Sequence, residues 1–293
     1  MSAVEKLKII NEVVECENYI GGKFQGSLGE KVEVVSPYTG QIIGTVPFST
    51  ASEVDQAIME GTKAFQSWRK LTYKERARFL FNFRDLLQTR IDHVSETVAL
   101  ESGKTIAEAK AGIMKGLEVV EYALSLQNKV HTDGFLEVSK GVSCKQIRTP
   151  MGVCVGITPF NFPAMVPMWL FPISLACGNT FIWKPSEKVP LTAQAIAQIM
   201  SEAGFPNGVF QIINGGKDTV DKLIESKETK VISFVGSSPV AKAVFAASST
   251  HGKRSLALGG AKNHIILCED ADPEVTTQGI VDSFTGCAGQ RCM

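Results

Sequence analysis

The chain changes rhythm twice. From Thr50 to about Asn128, apolar residues return every three or four positions, the spacing that lines one face of an α-helix. Thr50-Ala-Ser-Glu53 and Thr72-Tyr-Lys-Glu75 each carry the Thr-x-x-Glu pattern of a capping box and mark two helix starts. The first helix turns Val54, Ala57, Ile58, Gly61 and Phe65 inward; the second turns Phe79, Leu80, Phe83, Leu86 and Leu87 inward. A third is predicted over Ile91–Ser102, stopped by Gly103. A long fourth spans 106–128, with Ile106, Ala109, Ile113, Leu117, Val120 and Leu124 on its stripe and Lys115 off it. Ahead of these helices, residues 19–24 and 31–35 read as short strands around a Gly-rich turn, and 41–46 as another strand.

After His131-Thr-Asp-Gly134 the pattern alternates through Arg148, which predicts a hairpin reaching toward a second subunit. Thr149-Pro150 closes it. From there β-branched runs alternate with helical stretches. Strands are predicted at 153–157, 180–183, 209–213, 231–235, 256–258 and 264–267. Helices fall at 191–203, 218–226 and 239–248, and a Pro-punctuated buried segment at 160–177. Such alternation argues for βαβ units around a parallel, Rossmann-like sheet, with ligands at the carboxyl ends of the strands.

Composition changes this picture little. The 293 residues carry zero formal net charge, which gives no basis for a nucleic-acid surface or a disordered tail. The apolar run 160–177 is interrupted by Pro163, Pro167 and Pro172 and is too short to span a bilayer. Residues 1–14 lack the apolar core of a signal peptide and the Arg-rich character of a transit peptide, so a cytoplasmic setting without membrane contact is expected. The seven cysteines include no C-x-x-C pair, which argues for reduced thiols and against a zinc site.

Chemistry concentrates at the strand ends. After 153–157 comes Thr158-Pro-Phe-Asn-Phe-Pro163, where Asn161 is either an N-cap or a side-chain donor to a developing oxyanion. After 180–183 comes Lys184-Pro-Ser-Glu-Lys188, either a solvated turn or a seat for ribose hydroxyls in which Glu187 favours NAD over NADP. After 231–235 comes Gly236-Ser237-Ser238-Pro239, either a plain helix start or a set of N–H groups offered to a phosphate. The last stretch, from Gly286 to Met293, holds Cys292 among small and polar residues. It is either a buried structural cysteine or a nucleophile needing a site that favours its thiolate.

Four motifs in order, Thr158–Pro163, Trp183–Glu187, Phe234–Ser237 and Gly289–Cys292, resemble those of the aldehyde dehydrogenase superfamily from about Tyr19 onward. Phe160-Asn-Phe-Pro-Ala-Met-Val-Pro-Met-Trp169, Gly260-Ala-Lys-Asn-His264 and Ala288–Met293 are similar to its CoA-acylating methylmalonate-semialdehyde dehydrogenase branch. The resemblance implies an α/β, aldehyde dehydrogenase-like fold. Its NAD-binding domain comprises 1–128 and 151–258, its oligomerisation hairpin 129–150, and its catalytic domain begins at 259–293, where it reads as truncated.

The same resemblance implies Cys292 as nucleophile and Asn161 as oxyanion donor. Thr158, Phe160, Lys184, Glu187, Lys188, Gly236, Ser237 and Gly259 would line the cofactor site, and Arg291 would meet a substrate carboxylate. Lys115 stands where a second arginine is expected, keeping the charge and losing the bidentate fork. Family members continue well past the nucleophile and form homo-oligomers. Hydrolytic members carry a Glu before the Leu-Gly-Gly turn to activate water; here Ala257 stands there, and no carboxylate occurs between Lys253 and Glu269. Without a base, water is a poor nucleophile and a thiol such as coenzyme A is the better acyl acceptor.

Overall fold

A computed structural model describes residues 13–128 and 133–292. The expectations for residues 1–12, for the turn at 129–132 and for Met293 lie outside the described residues. The chain opens with β1 (Val14–Glu15), the hairpin β2 (Asn18–Ile20) and β3 (Lys23–Gln25), then β4 (Lys31–Val35) and β5 (Ile42–Pro47). Four helices follow: α1 (Ala51–Trp68), α2 (Tyr73–Thr89), α3 (Ile91–Ser102) and α4 (Ile106–Ser125). The two expected capping boxes start α1 and α2. A third, Thr105 with Glu108, starts α4. Gly103 ends α3 at φ 74°, a left-handed conformation that glycine adopts without steric cost.

Two helix expectations are corrected. The fourth helix ends at Ser125, because the Leu126 amide reaches back three residues to Ala123 and tightens 126–128 into a 3₁₀ turn. Ile106, expected inward, is 48% exposed, because it opens α4 before that helix meets the core.

A two-stranded hairpin, β6 (Asp133–Ser139) and β7 (Val142–Gln146), stands out with every residue exposed. Then come β8 (Val153–Ile157), α5 (Met165–Ala176), β9 (Thr180–Lys184), α6 (Pro190–Glu202), β10 (Phe210–Ile212), α7 (Lys217–Glu225), β11 (Thr229–Val235), α8 (Ser238–Thr250), β12 (Arg254–Leu258) and α9 (Pro273–Thr285). The expected strand at 264–267 does not form. Those residues run as irregular chain, with Ile265, Ile266 and Leu267 exposed, because among the described residues no strand lies beside them to complete a ladder.

The main sheet has the order β12-β11-β8-β9-β10-β2-β3, parallel from β12 to β10 and antiparallel at β2 and β3. From β8 the chain first moves outward through β9 and β10, then crosses back to β11 and β12. The direction therefore reverses between β8 and β11, where an open α/β sheet forms a ligand crevice. β8 and β9 are buried at every position, as expected for parallel strands covered on both faces.

One face packs Phe171, Phe181, Trp183 and Phe210 against α2 to α6; the other packs Val155, Ile157, Ile182 and Ile232 against α1, α7 and α8. Pro167 falls in the first turn of α5, where its missing N–H leaves no gap in the helix. Among the described residues, no helix is long and apolar enough to cross a membrane.

Glu101, buried near the end of α3, caps a different helix. Its two carboxylate oxygens accept the Leu191 and Thr192 amides of α6 at 2.9 and 3.0 Å. Burial pushes its carboxyl up to about 8, with those hydrogen bonds acting in the opposite direction. The folded chain therefore holds this proton to a higher pH than the unfolded chain. Its stabilisation is fully present below the ordinary carboxylate range and is lost as pH rises toward about 8. Thermal scans between pH 5 and 8 at constant ionic strength are expected to show Tm falling more steeply for this chain than for Glu101→Gln; parallel slopes would contradict it.

Candidate active site

The loop after β8 supplies the first half of the site. Thr158 is buried, and its Oγ1 accepts the Trp183 indole N–H at 2.8 Å, which ties this loop to β9. Phe160 is 43% exposed, and the Lys188 ammonium lies 5.0 Å from its ring centroid. Asn161 is not an N-cap. Helix α5 starts four residues later with Ala164 at the cap position, because Pro163 and the chain before it follow a non-helical path. Asn161 instead donates from Nδ2 to the Gln290 carbonyl at 2.8 Å, across 129 residues of sequence. Its Oδ1 is buried and has no hydrogen-bond partner among the described residues.

The neighbouring strand ends lie along the same edge of the sheet. Lys184 closes β9, is buried, and places Nζ 3.3 Å from Glu187 Oε2 on the following turn. Burial lowers the pKa of that ammonium, and Glu187 works against the shift. Beyond β11, the Gly236 amide donates to Leu258 at 3.1 Å, joining the ends of β11 and β12. Ser237 holds the cap position of α8 with extended backbone, and its side chain caps none of that helix's amides. Ser238 Oγ accepts the Gly260 amide at 3.0 Å. A Cβ at Gly259 would stand 3.0 Å from that same oxygen, so glycine allows this close approach.

The cysteine turn is the second half. Asp272 caps α9 through the Glu274 and Val275 amides, both at 2.9 Å. After α9 the chain turns through Cys287 (φ 54°) and Ala288 (φ 56°), two consecutive left-handed residues that each cost ~1–2 kcal/mol. Polar contacts hold this turn. Glu108 Oε1 accepts the Cys287 amide at 2.6 Å, and Ser102 accepts Gln290 Nε2 at 3.1 Å. Asn263 Nδ2 donates to the Cys292 carbonyl at 3.1 Å. Cys292 itself is half-buried, whereas Cys287 is buried.

The structure thus brings Asn161 to the peptide two residues before Cys292. The other sequence-predicted residues divide. Thr158, Phe160, Lys184, Glu187, Lys188, Gly236, Ser237 and Gly259 all fall at or just after the carboxyl ends of β8, β9, β11 and β12. Arg291 is exposed, donating from Nε to Cys287 Sγ at 3.5 Å and from Nη1 to the Asp282 carbonyl at 3.3 Å. Lys115 is exposed on α4, its ammonium 2.8 Å from Glu118 on the same helix. Ala257 packs on the apolar cluster beneath β12.

Sequence reasoning missed Lys104 and Glu108. Lys104 is buried, its ammonium donates to the Asn161 carbonyl, and it stands 3.5 Å from the Phe162 ring centroid. The unread signals were the third Thr-x-x-Glu box and a lysine directly after a helix-stopping glycine.

A doubly wound sheet with a cysteine turn docked on the loop after its first parallel strand has a counterpart among known families. The aldehyde dehydrogenase family model matches residues 24–293, and the chain belongs to that family. The malonate-semialdehyde dehydrogenase of Bacillus pumilus is 44% identical over 283 residues, which is 96% of this chain and 58% of that protein. Malonate-semialdehyde dehydrogenase 1 of Geobacillus kaustophilus is 43% identical with the same coverage. Among solved structures, the methylmalonate-semialdehyde dehydrogenase of Oceanimonas doudoroffii superposes with a TM-score of 0.93 at 38% identity, covering 96% of this chain and 57% of that one. A provisional methylmalonate-semialdehyde dehydrogenase of Sinorhizobium meliloti, solved with NAD, gives 0.93 at 36% identity, covering 96% and 58%. The chain therefore spans a little under three-fifths of the relatives it matches.

The Glu108 contact makes the cysteine turn pH-sensitive. The hydrogen bond from the Cys287 amide holds the Glu108 carboxyl below its usual range. Its stabilisation is present above that range and is lost as pH falls through the lowered value. Hydrogen exchange over 286–290, corrected for intrinsic rates, is expected to lose protection on acidification. Glu108→Ala should lose roughly tenfold at neutral pH, the size of a charge-assisted hydrogen bond after solvent screening. An unchanged exchange rate would remove Glu108 from this role.

Proposed function

We propose that this chain carries the cofactor-binding and nucleophile-bearing part of an NAD-dependent, CoA-acylating semialdehyde dehydrogenase. The observation that carries the reading is the Asn161 side-chain amide held against the Gln290 carbonyl beside Cys292, at the reversal point of the parallel sheet. A cysteine thiolate and a side-chain N–H donor on one small volume suit attack on a carbonyl carbon.

The residues present fit NAD. Lys184 and Glu187 form a paired, partly buried cation and anion able to bind ribose hydroxyls, and Glu187 disfavours a 2′-phosphate. The first-turn amides of α8, left uncapped by Ser237, suit the pyrophosphate, and Gly259 leaves room for a close approach. Thr158, Phe160, Lys188 and Gly236 would complete the walls. That the S. meliloti relative was solved with NAD supports NAD as the cofactor.

Cys292 Sγ, as thiolate, would add to the aldehyde carbon and move an electron pair onto oxygen. Asn161 Nδ2, exchanging its Gln290 acceptor for that oxyanion, and the Cys292 N–H would stabilise it. Bound NAD supplies a hydride acceptor for the carbon's hydrogen. As the C–O double bond re-forms, the acyl group remains on Cys292 as a thioester. Ala257 leaves no general base at the position that hydrolytic members use, so coenzyme A, having lost its thiol proton to solvent, would attack the acyl carbon as thiolate, its C–S bond forming as the bond to Cys292 breaks and the Cys292 thiolate leaves.

The names of the relatives support malonate or methylmalonate semialdehyde as substrate, giving acetyl-CoA or propanoyl-CoA with loss of carbon dioxide or bicarbonate. Arg291 would meet the substrate carboxylate, and Lys115 would join it after leaving Glu118. The exposed apolar residues Phe135, Leu136 and Val138 on the β6–β7 hairpin support a homo-oligomer. Seven free cysteines suit a reducing cytoplasm.

The test is rapid-mix NADH formation with methylmalonate semialdehyde and NAD, with and without coenzyme A. A burst that turns over only with coenzyme A is expected; equal turnover in its absence would overturn the acylating step. Asn161→Ala should slow the burst about 100-fold, as removal of one oxyanion donor does elsewhere.

A further inference from the structure

The α3–α4 junction holds both halves of the site. Ser102, the last residue of α3, accepts Gln290 Nε2 through its carbonyl at 3.1 Å. Glu108 in the first turn of α4 uses its two oxygens separately. Oε2 accepts the Thr105 amide at 3.1 Å and the Thr105 hydroxyl at 2.9 Å, while Oε1 accepts the Cys287 amide at 2.6 Å. Between them lies Lys104. Its side chain is buried, its ammonium donates to the backbone carbonyl of Asn161, and the Phe162 ring covers it with the centroid 3.5 Å away.

A lysine so placed is costly unless its charge meets acceptors and a π-face. Burial lowers its pKa to about 8, and Cys287, Glu108 and Cys292 favour its charged form while Arg291 opposes it. The residue it grips carries the oxyanion donor. Backbone hydrogen bonds hold the two ends of this loop, from the Thr158 amide to Lys184 at 3.2 Å and from the Val166 amide to Phe162 at 3.2 Å, while the Asn161 carbonyl between them accepts the Lys104 ammonium. The direction of the Asn161 side chain therefore depends on where its peptide is pinned.

We propose that Lys104 is a positioning residue. By holding the Asn161 carbonyl and the Phe162 ring, it aims the Asn161 side-chain amide at the Cys292 turn and so sets the oxyanion geometry. This rests on the functional reading above for its catalytic consequence, while its geometric part stands independently. A lysine present only to fill space would leave the Asn161 amide where it is.

The experiment uses the whole chain labelled with [15N]asparagine. The Asn161 side-chain NH2 pair is assigned by its loss in Asn161→Asp. In the unsubstituted chain this pair is expected away from the free-amide position and protected from exchange. Lys104→Met should move it to the free-amide position and remove most of the protection. Lys104→Arg, which keeps a cationic donor, should restore part of the shift. It also serves as the second variant if the Met chain fails to fold. In parallel, the NADH burst of Lys104→Met should slow roughly 10–100-fold, as a misplaced reacting group does, with the KM for semialdehyde unchanged.

An Asn161 pair unmoved in a folded Lys104→Met chain would overturn the proposal, whatever the burst does, and so would a Lys104→Arg chain whose pair sits at the free-amide position. A chain that shows the amide shift but gives no NADH burst even without substitution would support Lys104 as the positioning residue and overturn the activity reading instead.

Discussion

One hydrogen bond, from Asn161 Nδ2 to the Gln290 carbonyl, joins the two halves of the candidate site. One end sits on the loop after β8, the first strand of the parallel sheet, and so inherits the rigidity of a strand buried on both faces. The other sits on a turn containing two left-handed non-glycine residues, a shape the chain would not adopt unaided. A rigid partner and external polar contacts together over-determine that turn. The order of the sheet explains why the meeting happens here. The chain reverses direction between β8 and β11, so the β8 loop borders the crevice rather than being covered by a crossover helix.

Much of this was legible in the sequence, for physical reasons that also mark where legibility stopped. The capping boxes at Thr50 and Thr72 and the stop at Gly103 are local rules, and each placed a helix end closely. The β-branched run at 153–157 gave a strand buried at every position, and the run at 231–235 gave one buried at Ile232 and Phe234. The apolar run at 264–267 has the same character without a neighbour, and a strand needs a partner that no local pattern supplies. Asn161 shows the same limit. Its local context offered an N-cap, but the helix starts at Met165, and the side chain's partner lies 129 residues away.

The residues expected to hold a cofactor were legible as types and not as geometry. Lys184 and Glu187 do pair across their turn, and Ser237 does open a helix. Lys104 and Glu108 escaped notice because their partners, the carbonyl of Asn161 and the amide of Cys287, are backbone atoms. Backbone groups carry no sequence signature, so a side chain devoted to them resembles any other polar residue. A lysine after a glycine stop reads as solvated, and only its burial shows that it has work inside the fold.

The weight carried by those polar contacts follows from what surrounds the cysteine turn. Helix α9, which leads into it, has no buried residue, and Val275 and Phe284 on it are 73% and 65% exposed. Among the described residues, apolar burial therefore contributes little to fixing the segment from 259 to 285 relative to the sheet. In a well-packed core, dozens of small dispersion contacts share the task of holding position, and loss of one is absorbed. Here a few directional bonds from Ser102, Glu108, Asn161 and Ser238 do it instead. A reacting group displaced by even ~1 Å can lose two orders of magnitude in rate. A site held by so few contacts should therefore be more sensitive to substitution at its polar supports than to changes of similar size in the aromatic core beneath it.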